Sequence, residues 1–148
     1  MKERKRKKNH KEKLNNLKKF DKSQRSTFEY WWNHWKAFQY VALDCGHWRL
    51  KYLFHDWYKP WLRLFLPYEK VQKFHRNHAN HHLEWAVAHY WQGVDWYGMI
   101  IDWECSRYTK IKSPLNARDT MELEIKKHGE YEQWLRLYME PLLDKLEL

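Results

Sequence analysis

Apolar residues recur along most of the chain at three- and four-residue steps, the repeat of one helix face, and the two-residue alternation of a half-buried strand is scarce. Ser26 and Glu29 stand in an S-x-x-E arrangement, in which each side chain satisfies the other residue's free N–H. A long helix is predicted from this capping box to about Asp44, with Gly46 as its stop. Trp48, Leu50, Leu53, Phe54 and Trp57 predict a helix over 48–58 that ends before Pro60. Pro67 opens another over 68–80, and residues 81–92 continue it or begin a new one. Gly93 separates these from a segment over 94–108. Ser113, Pro114 and Asn116 punctuate before a helix near 117–128. Gly129 precedes a last helix over 130–146, kinked or shortened at Pro141. With no Asn-Gly or Asp-Gly hairpin signal and no internal repeat, the pattern predicts an all-α, compact single-domain bundle of six or seven helices.

Charge changes the picture at one end. Residues 1–25 carry 12 basic and 3 acidic side chains, a net +9, whereas residues 26–148 carry 16 of each and are neutral. A uniformly basic nucleic-acid-binding domain is therefore disfavoured. Residues 1–25 read as a basic, flexible leader in which Leu14, Leu17 and Phe20 support at most a weak helix, and 26–148 as the helical domain. The leader either aids solubility or gains affinity for nucleic acid or another anionic surface by releasing counterions from phosphates. The 11 Trp exclude a disordered polybasic chain. Most of them, at helical spacing beside Leu and Phe, read as core, and any exposed ones are available to stack on a base. Cys45 and Cys105 lack metal-knuckle spacing and are too few for a disulfide framework, which points to a reducing compartment. The most apolar stretches, Tyr30–Leu43 and Trp85–Ile101, are broken by polar residues and fall short of the roughly 20 apolar residues a span requires. A soluble cytoplasmic protein with no membrane partner is expected.

The chemistry lies in the histidines and acids. His75, His78, His81 and His82 fall within eight residues. His75, His78 and His82 share one face of an unbroken helix, so His81 converges with His75 only if the helix breaks near Asn80. A lone helical His is more often a surface or satisfied core residue, but four so close together suggest a metal, for which neutral imidazole is the commonest side-chain ligand. His55 and Asp56 are adjacent, about 100° apart on a helix, and reach one ion only near a bend. Lys59, one turn beyond Asp56, is placed to neutralise a bound phosphate. Asp102 sits in the apolar run MIIDW and is expected to face inward, paired either with a cation such as Arg107 or with a metal.

The order His, His-Asp-x-x-Lys, His, His-His, Asp resembles the HD superfamily of metal-dependent phosphohydrolases, including its binuclear branch. More closely, residues 28–125 resemble a small uncharacterised family found largely in bacteriophages and bacteria, DUF5662. The residues carrying the likeness are His34-Trp35-Lys36, His55-Asp56-Trp57-Tyr58-Lys59-Pro60, His75 through His81-His82-Leu83-Glu84-Trp85, Gly98 to Trp103, and Asn116-Ala117-Arg118. Three positions depart from that family's pattern: Tyr58 stands for a Ser, Pro60 for a Phe and Gly98 for an acid. His47 competes with His34 for the first ligand position, and the family's spacing favours His34.

The resemblance implies an HD-like fold and one metal held by His34, His55, Asp56 and Asp102. Asp56 would bridge to a second ion completed by His75 and His81, with His82 as a further ligand. The mixed imidazole and carboxylate set suits Mn, Fe, Co, Ni or Zn as divalent ions. Such an ion activates water and withdraws charge from a phosphoryl oxygen. Lys59 would offset the remaining charge with help from Arg76 or Arg107, and Glu84 would orient a histidine. The implied substrate is a nucleotide or another phosphate ester; no P-loop or dinucleotide fingerprint is present. Two alternatives stand beside the hydrolase: a binding protein that docks on nucleic acid or an acidic protein through residues 2–25, and a degenerate member that keeps only the scaffold. In a phage-encoded protein, the setting is the host-cell cytoplasm.

Overall fold

The structure, a computed structural model, describes residues 2–112 and 115–148. These form nine α-helices: α1 (Lys2–Asn15), α2 (Phe28–Asp44), α3 (Lys59–Leu62), α4 (Tyr68–His78), α5 (Leu83–Ala88), α6 (Trp96–Thr109), α7 (Ala117–Lys127), α8 (Glu132–Tyr138) and α9 (Glu140–Leu146). Among the described residues the only extended pairing is an isolated parallel bridge between Phe20 and Lys110. None of the described helices is long and apolar enough to cross a membrane. The fold is all-α, with more and shorter helices than the six or seven expected.

Each difference has a local cause. The cap of α2 is Thr27, not Ser26: its hydroxyl oxygen accepts from the Tyr30 N–H at 3.1 Å while its own proton goes to the Gln24 carbonyl at 2.7 Å. No α-helix forms over 48–58. Leu50–Phe54 make a 3-10 turn, and Asp56 is left-handed at φ 56°. Carbonyls of this loop, which make at most short three-residue turns locally, also accept from α2 side chains: Tyr52 from Gln39, Leu53 from Trp35 and Asp56 from Trp31. The C-terminal helix divides at Met139, because Pro141 fits the first turn of a new helix but not the interior of an old one. The punctuation at Ser113 and Pro114 lies outside the described residues.

Helix α6 is the axis of the fold. Ile101 and Cys105 pack with Leu14, Ala37, Phe38, Val41 and Tyr52 on one side, while Met99 and Ile100 pack with Met121, Leu135, Met139 and Leu143 on the other. A helix apolar on both sides is one buried between layers. The basic leader contributes to this core: α1 packs on α2, and Leu14 and Phe20 are each 1% exposed, while Lys7, Lys8, Lys11 and Lys13 face solvent. The expectation of tryptophan as core is corrected. None of the 11 is fully buried, and Trp32, Trp48, Trp57 and Trp61 are exposed. Indole is large for a domain of this size, and its N–H needs a partner at the boundary. The two thiols are free, and burial pushes both up, Cys45 to about 12.

Candidate metal centre

Four separate elements deliver the candidate ligands to one place. Helix α2 presents Tyr30, His34 and Phe38 on one face at four-residue steps. Its indole and amide donors hold the 50–58 loop against it, and the left-handed turn at Asp56 lets adjacent residues 55 and 56 point into the same space. The required break in the histidine-rich stretch is present. Helix α4 ends at His78, Ala79 is extended, and a turn fixed by Asp95 N–H to Asn80 O at 2.9 Å returns His81 and His82 beside His75. Helix α6 supplies Asp102 from the centre of the fold.

The donors converge at the separations that a shared ion demands. His34 Nε2 lies 2.9 Å from Asp102 Oδ1 and 3.4 Å from His55 Nε2, and His55 Nε2 lies 3.5 Å from Asp102 Oδ1. Asp56 Oδ2 stands 3.5 Å from the same His55 nitrogen. Ligands bonded to one ion at about 2.0–2.1 Å are separated by about 3.0–3.4 Å. The other carboxylate oxygen of Asp56 faces a second group: Oδ1 is 3.0 Å from His75 Nε2 and 3.8 Å from His81 Nε2, and His75 Nε2 is 2.7 Å from His82 Nε2. Three overlapping sets have all their ligand atoms within 4.8 Å: His34, His55 and Asp102; His55, Asp56 and His81; and His75, His81 and His82.

Electrostatics favours a cation here. Burial acts to raise the Asp56 carboxyl, but His55, Lys59, His75 and His81 outweigh it and hold Asp56 well below the usual carboxylate range. Asp102 is held down likewise, against burial, by hydrogen bonds from His34 and His55. Burial drives His75, His81 and His82 below their ordinary value, so at neutral pH these rings are uncharged and carry lone pairs. Two carboxylates face one ammonium, Lys59, whose Nζ is 2.5 Å from Asp56 Oδ2. Among the described residues, buried Asp56 Oδ1 and His81 Nε2 have no hydrogen-bond partner. Orphaned acceptors deep in a protein are costly, and a divalent ion satisfies several of them at once.

No family model, curated protein or solved structure matches the chain. The gathered histidines and aspartates therefore stand on their own geometry.

The pH dependence of the metal-free protein follows from these histidines. Depressed pKa values in the folded state mean that the unfolded chain binds protons first as pH falls. Stability is fully present above the ordinary histidine value of about 6.5 and declines below it. The depressed carboxyls add a further loss only below about pH 4. Thermal unfolding in EDTA, followed by circular dichroism from pH 8 to 5, should show the melting temperature falling below about 6.5. His82→Gln should make the slope shallower. A flat wild-type profile across that range contradicts the burial of these rings.

Several supporting residues carry no sequence motif. Phe38 stacks on His55 with ring centres 3.6 Å apart, and Trp31 Nε1–H donates to the Asp56 carbonyl at 2.9 Å. The Tyr58 hydroxyl makes a short hydrogen bond with His75 Nδ1. With Nδ1–H donating to the Tyr58 oxygen, His75 Nε2 is left as a lone pair facing Asp56 and His82. The Ser-to-Tyr departure thus adds a group that orients a ligand. Tyr58→Phe is expected to weaken metal binding about 10- to 100-fold by calorimetric titration; unchanged affinity would remove Tyr58 from this role. At the third departure, a Cβ on Gly98 would lie 2.6 Å from Asp95 Oδ2. That carboxylate caps α6 through the Gly98 N–H and pairs with Lys51 at 2.6 Å, so an acid from three residues earlier occupies the space.

The remaining candidates divide. Lys59 and Arg76 line an open cleft of about 1230 Å³ that also reaches His34, His82 and Asp102. Glu84 lines the same cleft but lies 3.6 Å from Arg76 Nη1 and makes no hydrogen bond to a histidine. Arg107 is not in the cleft. It is about 140° around α6 from Asp102 and donates to Glu104 Oε1 at 2.8 Å, where Glu104 also accepts from Ala117 N–H and ties α6 to α7. His47 stacks on Tyr97 and His78 on Phe74, both away from the cluster, which leaves His34 as the α2 ligand.

Proposed function

We propose that the protein is a divalent-metal-dependent phosphohydrolase of HD type acting on a nucleotide or related phosphate ester. The observation that carries this reading is the placement of Asp56, one oxygen toward His55 and the His34–Asp102 pair, the other toward His75 and His81. Such a carboxylate is suited to join two ion sites. Mn, Fe, Co, Ni or Zn held there supplies Lewis acidity, which makes water a competent nucleophile at neutral pH and draws charge from a phosphoryl oxygen.

The chain's own residues provide the rest. Asp56, with its two oxygens turned to the two groups of histidines, would fix where a metal-activated water stands. Lys59 Nζ, at the cleft and beside Asp56 Oδ2, offsets charge on the phosphoryl oxygens as the water–phosphorus bond forms and the ester P–O bond breaks. The leaving oxygen takes its proton from solvent in the open cleft. A neighbouring cavity of about 270 Å³, walled by Phe28, Trp31, Pro60, Leu64 and Val71 and bordered by Asp56 and Lys59, suits a flat ring such as a base.

The test is hydrolysis with each of the five ions, read as phosphate release from nucleoside phosphates and simple phosphate esters and as ring opening of cyclic nucleotides. Turnover with at least one ion that EDTA abolishes is expected. No hydrolysis product from any compound with any ion would overturn the reading.

A further inference from the structure

The metal centre uses only the floor of the large cleft. Its walls are strongly cationic: Lys22, Arg25, Arg63, Lys73, Arg76 and Lys110 line it together with Lys59, against Glu69, Glu84 and Asp102. Asp102 is already engaged by His34 and His55, and Glu84 approaches only Arg76. Lys110 is half-buried and makes no ion pair among the described residues, and both Arg25 and Arg76 are near enough to depress its ammonium after burial has done so. Arg25 donates through Nη2 to the Lys112 carbonyl at 3.3 Å, but its buried Nε has no partner. Tyr68, on the α4 wall, also lies within the field of Arg25 and Arg76.

The segments that carry Arg25 and Lys110 are tied to each other. Phe20 N–H donates to Thr109 O at 2.9 Å, and Ile111 N–H to Phe20 O at 3.2 Å. This pairing fixes the Lys110 backbone beside the segment that continues into Arg25. Arg76 comes from α4 across the cleft. Cations that outnumber the neighbouring carboxylates repel each other, and a bound anion relieves that repulsion while satisfying the open guanidinium donor. Asp102 links the two regions, since it contacts His34 and His55 and is also the strongest attraction acting on Lys110.

We propose that Arg25, Arg76 and Lys110 form an anion subsite next to the metal centre that holds a second phosphate group, so that the favoured substrates carry at least two phosphates. The substrate part of this inference rests on the phosphohydrolase reading; the anion subsite does not. A nucleoside di- or triphosphate would place one phosphate over the part of the cleft floor formed by His34, Asp102 and Lys59 and the next against the three cations.

The full-length protein should be titrated calorimetrically with inorganic tripolyphosphate in EDTA, so that no metal contributes. Binding is expected to weaken at least about tenfold in Lys110→Gln and in Arg25→Gln, and to be unchanged in Lys127→Gln, a site outside the cleft paired with Glu124. Two substitutions from different segments keep the test valid if one fails to fold. Equal binding by wild type and both cleft variants would overturn the subsite. In the turnover assay, Lys110→Gln should lower kcat/KM for nucleoside triphosphates at least about tenfold while changing that for monophosphates less than about twofold. An equal loss on both would overturn the substrate assignment. Lys110-dependent binding without turnover on any phosphate would leave the subsite standing and reject the hydrolase.

Discussion

Asp56→Asn is expected to lower metal-dependent turnover by about 10³-fold or more while the protein remains folded, the scale seen when one charge-stabilising group is removed from a site. Among the described residues, Asp56 alone turns its two oxygens to both groups of histidines, at 3.5 Å on one side and 3.0 Å on the other. Asparagine removes the negative charge from the middle of the cluster and puts an N–H₂ where a lone pair is needed. It also strips Lys59 of its 2.5 Å partner. The backbone tolerates the change, since Asn enters the left-handed region nearly as readily as Asp, and φ at position 56 is 56°. Alanine at the same position adds strain of about 1–2 kcal/mol to the loss of charge. Asp56→Ala should therefore melt below Asp56→Asn while being equally inactive. Initial rates and thermal melts of the two variants measure both effects, and full turnover by Asp56→Asn would end the catalytic assignment.

Metal loading should raise the melting temperature of the chelator-treated protein by about 5–10 °C once the ion is near 100 times its Kd. The reason is the state of the empty cluster: two carboxylates against one ammonium, three rings uncharged at neutral pH, and two buried polar atoms without partners among the described residues. An ion that binds only the folded arrangement is worth about 2.7 kcal/mol at that concentration. Asp102→Asn should remove the shift contributed by the His34–His55 side, and His81→Gln that of the His75–His82 side. Differential scanning fluorimetry with each of the five ions provides the measurement. A melting temperature unmoved by all of them would mean that the donors converge for another reason.

The candidate ligands were legible as residues before they were legible as a site. His34, His55, Asp56, His75, His81, His82 and Asp102 announced themselves by type and order, and the condition set on His81, a helix break near Asn80, is met by the extended Ala79. Arg107 misled because proximity in sequence to Asp102 says nothing about side; five residues along a helix is most of the way to the opposite face. The 48–58 segment misled because its apolar spacing suits a helix, whereas Trp31, Trp35 and Gln39 draw its carbonyls out of one. Tyr58 and Phe38 carried no signal, since an aromatic beside a histidine becomes a support only when the fold stacks or bonds the two.

By itself the sequence determined the all-α character, most helix positions after residue 67, the stop at Gly46, the division at Pro141 and the inventory of metal-capable side chains, because helix formation is decided within a few residues by periodicity, caps and proline. Only the tertiary structure decided that Leu14 and Phe20 belong to the core, that residues 55 and 56 share one direction, and that donors from positions 34 to 102 stand about 3 Å apart. It also decided that Arg25 and Lys110 line the same cleft. Those outcomes depend on contacts between segments distant in the chain, which local spacing does not encode.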